Sequence, residues 1–324
     1  MRRSIIGCSR RYSLLIIFFI LSYTKLSAQT DADAIMMTKN NFCTGFMYGS
    51  SQWSDYWEGT LKRNNDNLGT VSTKMYGVMG NYGLSDKLNL LFSVPYIQTN
   101  ASAGTLSGLK GLQDLSLWVK WNPVETKLGE GTISVYGIGG VSFPTTNYVA
   151  DFLPMSIGLH STNLSMRGMV DYQMGKWFAT VSGTYVVRNN IKIDRTSYYT
   201  TEMHLTNEVS MPDASNIQFR TGYRSGRMIA EAIINNWITL GGFDITRNNM
   251  PFPSNKMNAT TAGINIKYNI RAVDGLALIG GGSITLAGRN MGQASSINGG
   301  VFYILDFSHK AKKSTPSTPP VKTK

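Results

Sequence analysis

Histidine and cysteine are almost missing from this chain, with three His and two Cys in 324 residues. His160, His204 and His309 lie far apart in sequence, and no carboxylate or His/Cys cluster has the spacing of metal ligands. His160-Ser161-Thr162 is superficially suggestive of a Ser–His hydrolase, but such a site also needs a polar group that orients the imidazole. The sequence therefore predicts no catalytic, cofactor or metal site. Cys8 precedes an apolar run near the N-terminus and is expected to leave with it, so Cys43 remains alone and no intramolecular disulfide is expected. Long apolar runs are missing too. After residue 28 nothing approaches the roughly 20 apolar residues that a transmembrane helix needs. Only 15% of the residues are charged. Disulfide scaffolds, metalloenzymes and helical membrane proteins are all disfavoured.

The ends set the compartment. Arg2, Arg3, Arg10 and Arg11 form a basic stretch, Leu14 to Leu21 is unbroken and apolar, and Leu26-Ser27-Ala28 precedes Gln29 as a cleavage site. Residues 1–28 read as a signal peptide, too short in its apolar run to be an anchor. The formal net charge of +12 falls to +7 without the five basic residues of that stretch (the four arginines and Lys25). It falls to +2 once Lys310, Lys312, Lys313, Lys322 and Lys324 are also set aside. A basic body that might seek nucleic acid is therefore not there, and no nucleic-acid partner is expected. Residues 308–324, rich in Lys, Pro, Ser and Thr, cannot bury enough surface to offset ordering entropy and are expected to be a disordered periplasmic tail.

What is present is alternation. Leu88, Leu90, Phe92, Val94 and Tyr96 share one face of an extended segment; Leu115, Leu117, Val119 and Trp121 share one face of the next. Side chains of a strand alternate faces with period 2, so each segment has one apolar and one mixed wall. The same rhythm recurs at Tyr76–Tyr82, Ile133–Val141, Met166–Tyr172, Trp177–Tyr185, Ile217–Tyr223, Ala262–Ile270 and Val301–Phe307. With strands near 41–57, 228–243 and 275–287, the total is twelve. The connections alternate short and long, as periplasmic turns and extracellular loops do in an outer-membrane barrel. Tyr82, Tyr96, Trp121, Tyr172, Trp177, Tyr185, Tyr223, Tyr268 and Phe307 fall at strand ends, like the aromatic girdles at membrane interfaces. A soluble β-sandwich would have shorter strands and no such girdle. The expectation is all-β: residues 29–40 a short N-terminal segment, and 41–307 a transmembrane antiparallel β-barrel of a Gram-negative bacterium's outer membrane.

Two resemblances sharpen this. Tyr82-Gly-Leu-Ser-Asp-Lys-Leu-Asn-Leu, Val94-Pro95-Tyr96 and Gly111-Leu-Gln-Asp114-Leu-Ser-Leu-Trp-Val-Lys120 resemble the "MetA pathway of phenol degradation" family of outer-membrane proteins over roughly forty residues. That resemblance implies a transport channel, distantly similar to hydrophobic-substrate channels of the fatty acid transporter type. The dozen residues before the first strand look too few for the long N-terminal plug of those channels. Asn298, Gly300, Tyr303, Leu305 and Phe307 resemble the C-terminal signal read by the barrel assembly machinery, though here a tail follows. Assembly machinery and outer-membrane lipid are thus the expected partners.

The candidate lumen residues are Lys74, Asp114, Lys120, Arg167, Asp171, Arg220, Arg224, Glu231 and Lys267, of both signs, suited to cross-lumen pairing or to a selectivity filter. Pro95, lacking an N–H, is a candidate kink that would open the wall sideways. Passage of small apolar or amphipathic solutes is the leading expectation. A polar-solute or anion porin is the alternative, and a structural barrel docking a partner through Asn189–Ala214 is the third. Twelve strands lie between filled barrels and wide porins, so a narrow or gated lumen is expected.

Overall fold

A computed structural model describes residues 30–246 and 249–308. Twelve strands of 11–15 residues form the wall: β1 (Asn41–Trp53), β2 (Val71–Ser85), β3 (Leu88–Ala101), β4 (Asp114–Leu128), β5 (Gly131–Pro144) and β6 (Asn163–Met174), then β7 (Trp177–Arg188), β8 (Ala214–Arg224), β9 (Met228–Thr239), β10 (Asn258–Asn269), β11 (Leu276–Arg289) and β12 (Ser295–Asp306). Each pairs antiparallel with the next, and β1 closes on β12 from Asn41↔Asp306 to Gln52↔Ser295. Closure leaves no unpaired edge, the condition for putting a sheet in lipid. The strand expected over 41–57 stops at Trp53, and residues 55–64 turn off into a small hairpin of their own.

The alternation has the orientation a membrane demands. Phe46, Val78, Leu90, Val119, Val181, Ile217, Ile264, Ile297 and Val301 are all exposed on the outer face. Asn81, Asn89, Lys120, Asp171, Thr180, Ser182, Arg220 and Lys267 are buried on the inner one. A soluble barrel would show the inverse pattern; this one presents an apolar band to lipid and a polar interior. Trp177, Tyr185, Tyr268 and Phe307 are exposed at or near strand ends, as a girdle requires, whereas Trp121, expected at an end, is exposed in the middle of β4, which runs on to Leu128.

At one end the strands are joined by short turns. Gly129 (φ 62°) and Gly175 (φ 59°) each open a two-residue hairpin loop, the position where a type II′ turn needs positive φ. At the other end six long connections fold inward and pack on one another. Met155 is fully buried among Leu68, Val71, Trp53, Ala101 and Leu106. Ile191, Ile193, Tyr198, Val209 and Met211 make a second small core with Ala150. Buried Asn290 ties three loops together: its Oδ1 accepts from the Gly59 and Ile245 N–H groups (2.8 and 3.0 Å), and its Nδ2 donates to Asp244 Oδ1 and Lys256 O (2.7 and 2.8 Å). The loops thus form a cap with its own packing.

The wall is continuous at Pro95. β3 runs through it from Leu88 to Ala101, with Pro95 opposite Gly77 of β2. On its other side the partner changes register, Ser93↔Ser116 giving way to Tyr96↔Leu112, so one extra residue is accommodated there. Pro95 O accepts from Gln113 N–H (2.9 Å), and its missing N–H lies on that same side of the strand. The proline therefore sits where the ladder is already irregular and gives up little there. The strand assignment runs through the proline, and the irregularity expected there lies in its pairing with β4.

Candidate functional site in the barrel lumen

The chain enters β1 from inside the barrel. Asn40 adopts φ 60°, a left-handed conformation that Asn tolerates, and its N–H donates to Gly83 O (2.8 Å). A Cβ on Gly83 would lie 2.1 Å from Thr38 O, so only glycine lets the backbone pass this close to β2. Met37 is buried against Cys43, Ala277, Phe302 and Ile304. Ala34, with Met36 beside it, packs on Tyr136, Ile138 and Met169. From these anchors residues 30–36 lie across the lumen.

The wall holds that segment with donors. Lys120 Nζ, wholly buried, donates to Thr30 O (3.1 Å), Ile35 O (2.9 Å), Asp33 O and the Asp33 carboxylate (3.0 Å). Arg167 Nη1 donates to Asp31 O (2.9 Å) and to the Asp31 carboxylate (3.0 Å), while its Nε is held by Thr184 Oγ1 (2.8 Å). Arg220 Nη1 donates to Ala32 O (2.8 Å), and Tyr136 OH to Ala34 O (3.0 Å). An irregular backbone in the lumen would cost several kcal/mol if its carbonyls went unpaired. Here five of them, at residues 30–33 and 35, are taken by cations, and that of Ala34 by Tyr136.

The remaining wall charges pair among themselves. Arg220 donates from Nε and Nη2 to both oxygens of Glu231, which Asn265 also contacts. Arg224 grips Asp171 with two donors (2.8 and 3.2 Å), and Thr180 Oγ1 completes that carboxylate. Arg224 also lies over the Phe178 ring, 3.9 Å from its centroid. Lys267 is buried beside the segment, in a cavity of about 40 Å³ shared with Thr30, Asp33 and Glu231. That space holds little more than a water molecule. Asp114 stands nearer the mouth, where Tyr148 OH donates to it (2.6 Å).

Seven of the nine expected lumen residues therefore meet around one segment: Lys120, Arg167, Asp171, Arg220, Arg224, Glu231 and Lys267. Asp114 belongs to the mouth instead. Lys74 is a correction. It is two residues from Tyr76 and four from Val78, so it shares their outer face and is exposed. The contrast between apolar and polar faces fades near strand ends, where headgroups replace hydrocarbon, and an outward lysine is tolerated there. The residues before β1, too few for the long plug of fatty acid channels, still cross this lumen, and residues 30–36 suffice for it. Asp31 and Asp33 were missed. Two signals pointed to them: the Asp-Ala-Asp-Ala pattern just before β1, and a wall carrying more buried cations than carboxylates.

Asp33 gives the site a pH signature. Burial opposes its charge, yet Lys120, Arg220 and the Thr30 N–H (2.6 Å) hold its carboxyl below the usual carboxylate range. A lowered folded pKa means the ion pair contributes fully above the ordinary value of 3.8 and is lost only as pH falls through the lowered one. Protection of the Ala32 and Asp33 amides from hydrogen exchange, corrected for intrinsic rates, should therefore be flat from pH 7 to the ordinary carboxylate range. It should drop only below that range; a drop centred near pH 5–6 would contradict this assignment.

No protein-family model matches the chain, and no curated protein matches it. Among solved structures it is similar to the COG4313 outer membrane channel from Pseudomonas putida F1, with 13% identity over 86% of this chain and 100% of that one, at a TM-score of 0.69. The translocator domain of autotransporter NalP from Neisseria meningitidis follows at 11% identity, 82% and 88% coverage and a TM-score of 0.43. A Pseudomonas aeruginosa FadL homologue gives 10% identity, 83% and 90% coverage and 0.34. At these identities the likeness concerns architecture, and the architecture is a closed twelve-stranded antiparallel β-barrel like those of bacterial outer-membrane proteins.

Proposed function

We propose that this protein is an outer-membrane channel for small polar solutes with a preference for anions, closed by its own N-terminal segment. One observation carries the reading: two lumen cations, buried Lys120 and half-buried Arg167, draw their carboxylates from Asp33 and Asp31 of that segment. Arg220 and Arg224 take theirs from the wall. When the segment leaves, the narrowest part of the lumen therefore keeps an excess of positive charge, which selects anions at close range. The shared fold with the COG4313 channel supports the transport role and the outer-membrane location. Removal of residues 1–28 on export would leave Gln29 as the first residue, one position before the segment. Outer-membrane lipid and the assembly machinery remain the partners this reading requires.

The test is a reversal potential. With a tenfold KCl gradient across a planar bilayer, openings of the mature protein should reverse toward the chloride equilibrium potential. Replacing Lys120 and Arg167 together by Met should move the reversal toward zero. Cation-selective openings in the unmodified protein would reject the reading.

Passage of apolar or amphipathic solutes has one observation in its favour. Phe152, Tyr199 and Met250, all exposed, line a cavity of about 340 Å³ in the loop cap with Tyr198 and Phe252. Rings of Phe243, Phe252, Tyr198 and His204 run through it in series, 4.7–6.3 Å between neighbours. Uptake of an apolar fluorophore into vesicles bearing the barrel, abolished by Tyr199→Ser with Phe152→Ser, would favour that route. Of the loop read as a docking surface, Ile191, Ile193, Tyr198 and Val209 pack within the cap, while Arg195, Tyr199 and Glu202 remain exposed.

A further inference from the structure

We propose that Lys120, Arg167 and Arg220 form a binding site for a small aliphatic dicarboxylate, and that such a solute opens the lumen by taking the places of the Asp31 and Asp33 carboxylates. This rests on the channel reading above and names the solute class for it.

The socket is built entirely of donors. Lys and Arg side chains have no acceptor atoms, and each of the three aims at oxygen: two carboxylates and five main-chain carbonyls. Arg220 has already committed two nitrogens to Glu231, and Arg167 one to Thr184, so both guanidinium groups are fixed before anything binds. That is pre-organisation, and it lowers the cost of ordering the site around a ligand. Between the two carboxylates the one side chain of the segment is the Ala32 methyl, and Ala34 just beyond them lies in the apolar pocket of Tyr136, Ile138 and Met169. A solute fitting this socket therefore has two carboxylates and a short, unbranched apolar linker.

Electrostatics argues for occupation in both states. With the segment out, buried Lys120 and half-buried Arg167 would be left without carboxylates, which is strongly unfavourable for the buried charge. An anion must replace what leaves. A monocarboxylate satisfies one cation, and a second would have to be captured independently. Two carboxylates on one molecule satisfy both, the second contact being intramolecular. Displacement also needs the solute to prefer the vacated state, since a ligand that binds both states equally shifts nothing. A dicarboxylate meets that condition, because in the closed state its two positions are filled by Asp31 and Asp33.

The experiment uses a reporter on the segment. In protein lacking residues 1–28, and with them Cys8, and with buried Cys43 replaced by Ala, Ala34→Cys places a thiol where the docked segment shields it; Ala34 is 6% exposed. N-ethylmaleimide labelling is timed in succinate, glutarate or adipate, and in acetate or NaCl of matched ionic strength. Labelling should accelerate several-fold and saturably with at least one dicarboxylate, and with neither control. Ala32→Cys serves as the second reporter if Ala34→Cys does not dock. In parallel, chloride current through protein lacking residues 30–36 should fall saturably with the same dicarboxylate, and Lys120→Met should remove that block. Equal labelling in dicarboxylate and in the controls, with the shortened protein still conducting, would overturn the site while leaving the channel intact. A shortened protein that conducts nothing would overturn the channel reading, whereas a saturable labelling response would still support the site.

Discussion

Deleting residues 30–36 is expected to raise the time-averaged current through a single barrel about tenfold or more, since a gate docked at least nine-tenths of the time passes at most one-tenth of the open current. The segment is the body that fills the lumen, and the cavity beside it near Arg220 and Lys267 measures about 40 Å³. Below it, at the short-turn end, a vestibule of about 540 Å³ opens past Ala34, Ile35 and Met36, rimmed by Glu125 and Glu130. Loss of the segment joins this vestibule to the upper lumen. The wall itself should not notice. Its stability comes from twelve paired strands, each hydrogen-bonded on both sides, and none of those ladder bonds involves residues 30–36. Thermal unfolding in detergent should therefore stay within a few degrees of the parent. The current is measured in planar bilayers. An unchanged, low current after the deletion would mean that the loop cap, with Met155 and Asn290 at its joints, is the barrier instead.

Much of this barrel is legible in the sequence, and the reason is mechanical. A strand facing lipid on one side and a polar lumen on the other must alternate, and nothing in the tertiary structure can override that. Leu90, Val119, Val181 and Ile264 were therefore placed correctly by parity alone. Lys74 shows where the method fails. Near the headgroup level both faces accept polar groups, so the chemistry of the side chain no longer reports its direction and only the residue count does. The segment at residues 30–36 was illegible for a different cause. It is neither helix nor strand, and beyond the local turn bonds that Thr30 and Asp33 make, it is held in place by partners 85–188 positions away in sequence. What could be read was the imbalance. A wall with Lys120, Arg167, Arg220, Arg224 and Lys267 against Asp171 and Glu231 implies missing carboxylates, and the nearest unassigned ones are Asp31 and Asp33.

Lys120→Met is expected to release the segment more completely than any other single substitution, and more than Asp33→Asn. The lysine makes four contacts to the segment, three of them to main-chain carbonyls of Thr30, Asp33 and Ile35. Removing it orphans all of these acceptors as well as a buried carboxylate, and breaking a buried pair this way costs about 3–5 kcal/mol. That corresponds to a shift of about 10²–10⁴ in the ratio of docked to undocked segment. Asp33→Asn leaves the three carbonyl contacts and an amide oxygen for Lys120, so its cost should be nearer 1.5–3 kcal/mol, the range for a hydrogen bond to a charged group. The double variant decides whether the two act as one unit. Once Lys120 is gone, the Asp33 carboxylate is a buried charge lacking its nearest cation, and neutralising it should cost nothing or restore some docking. The coupling between the two sites should therefore be about 1.5–3 kcal/mol, well beyond the additivity expected of independent positions. Thiol labelling at position 34 measures all four proteins on one scale. Strictly additive effects would mean that Lys120 and Asp33 hold the segment independently, and that the carbonyls, rather than the ion pair, set its affinity for the lumen.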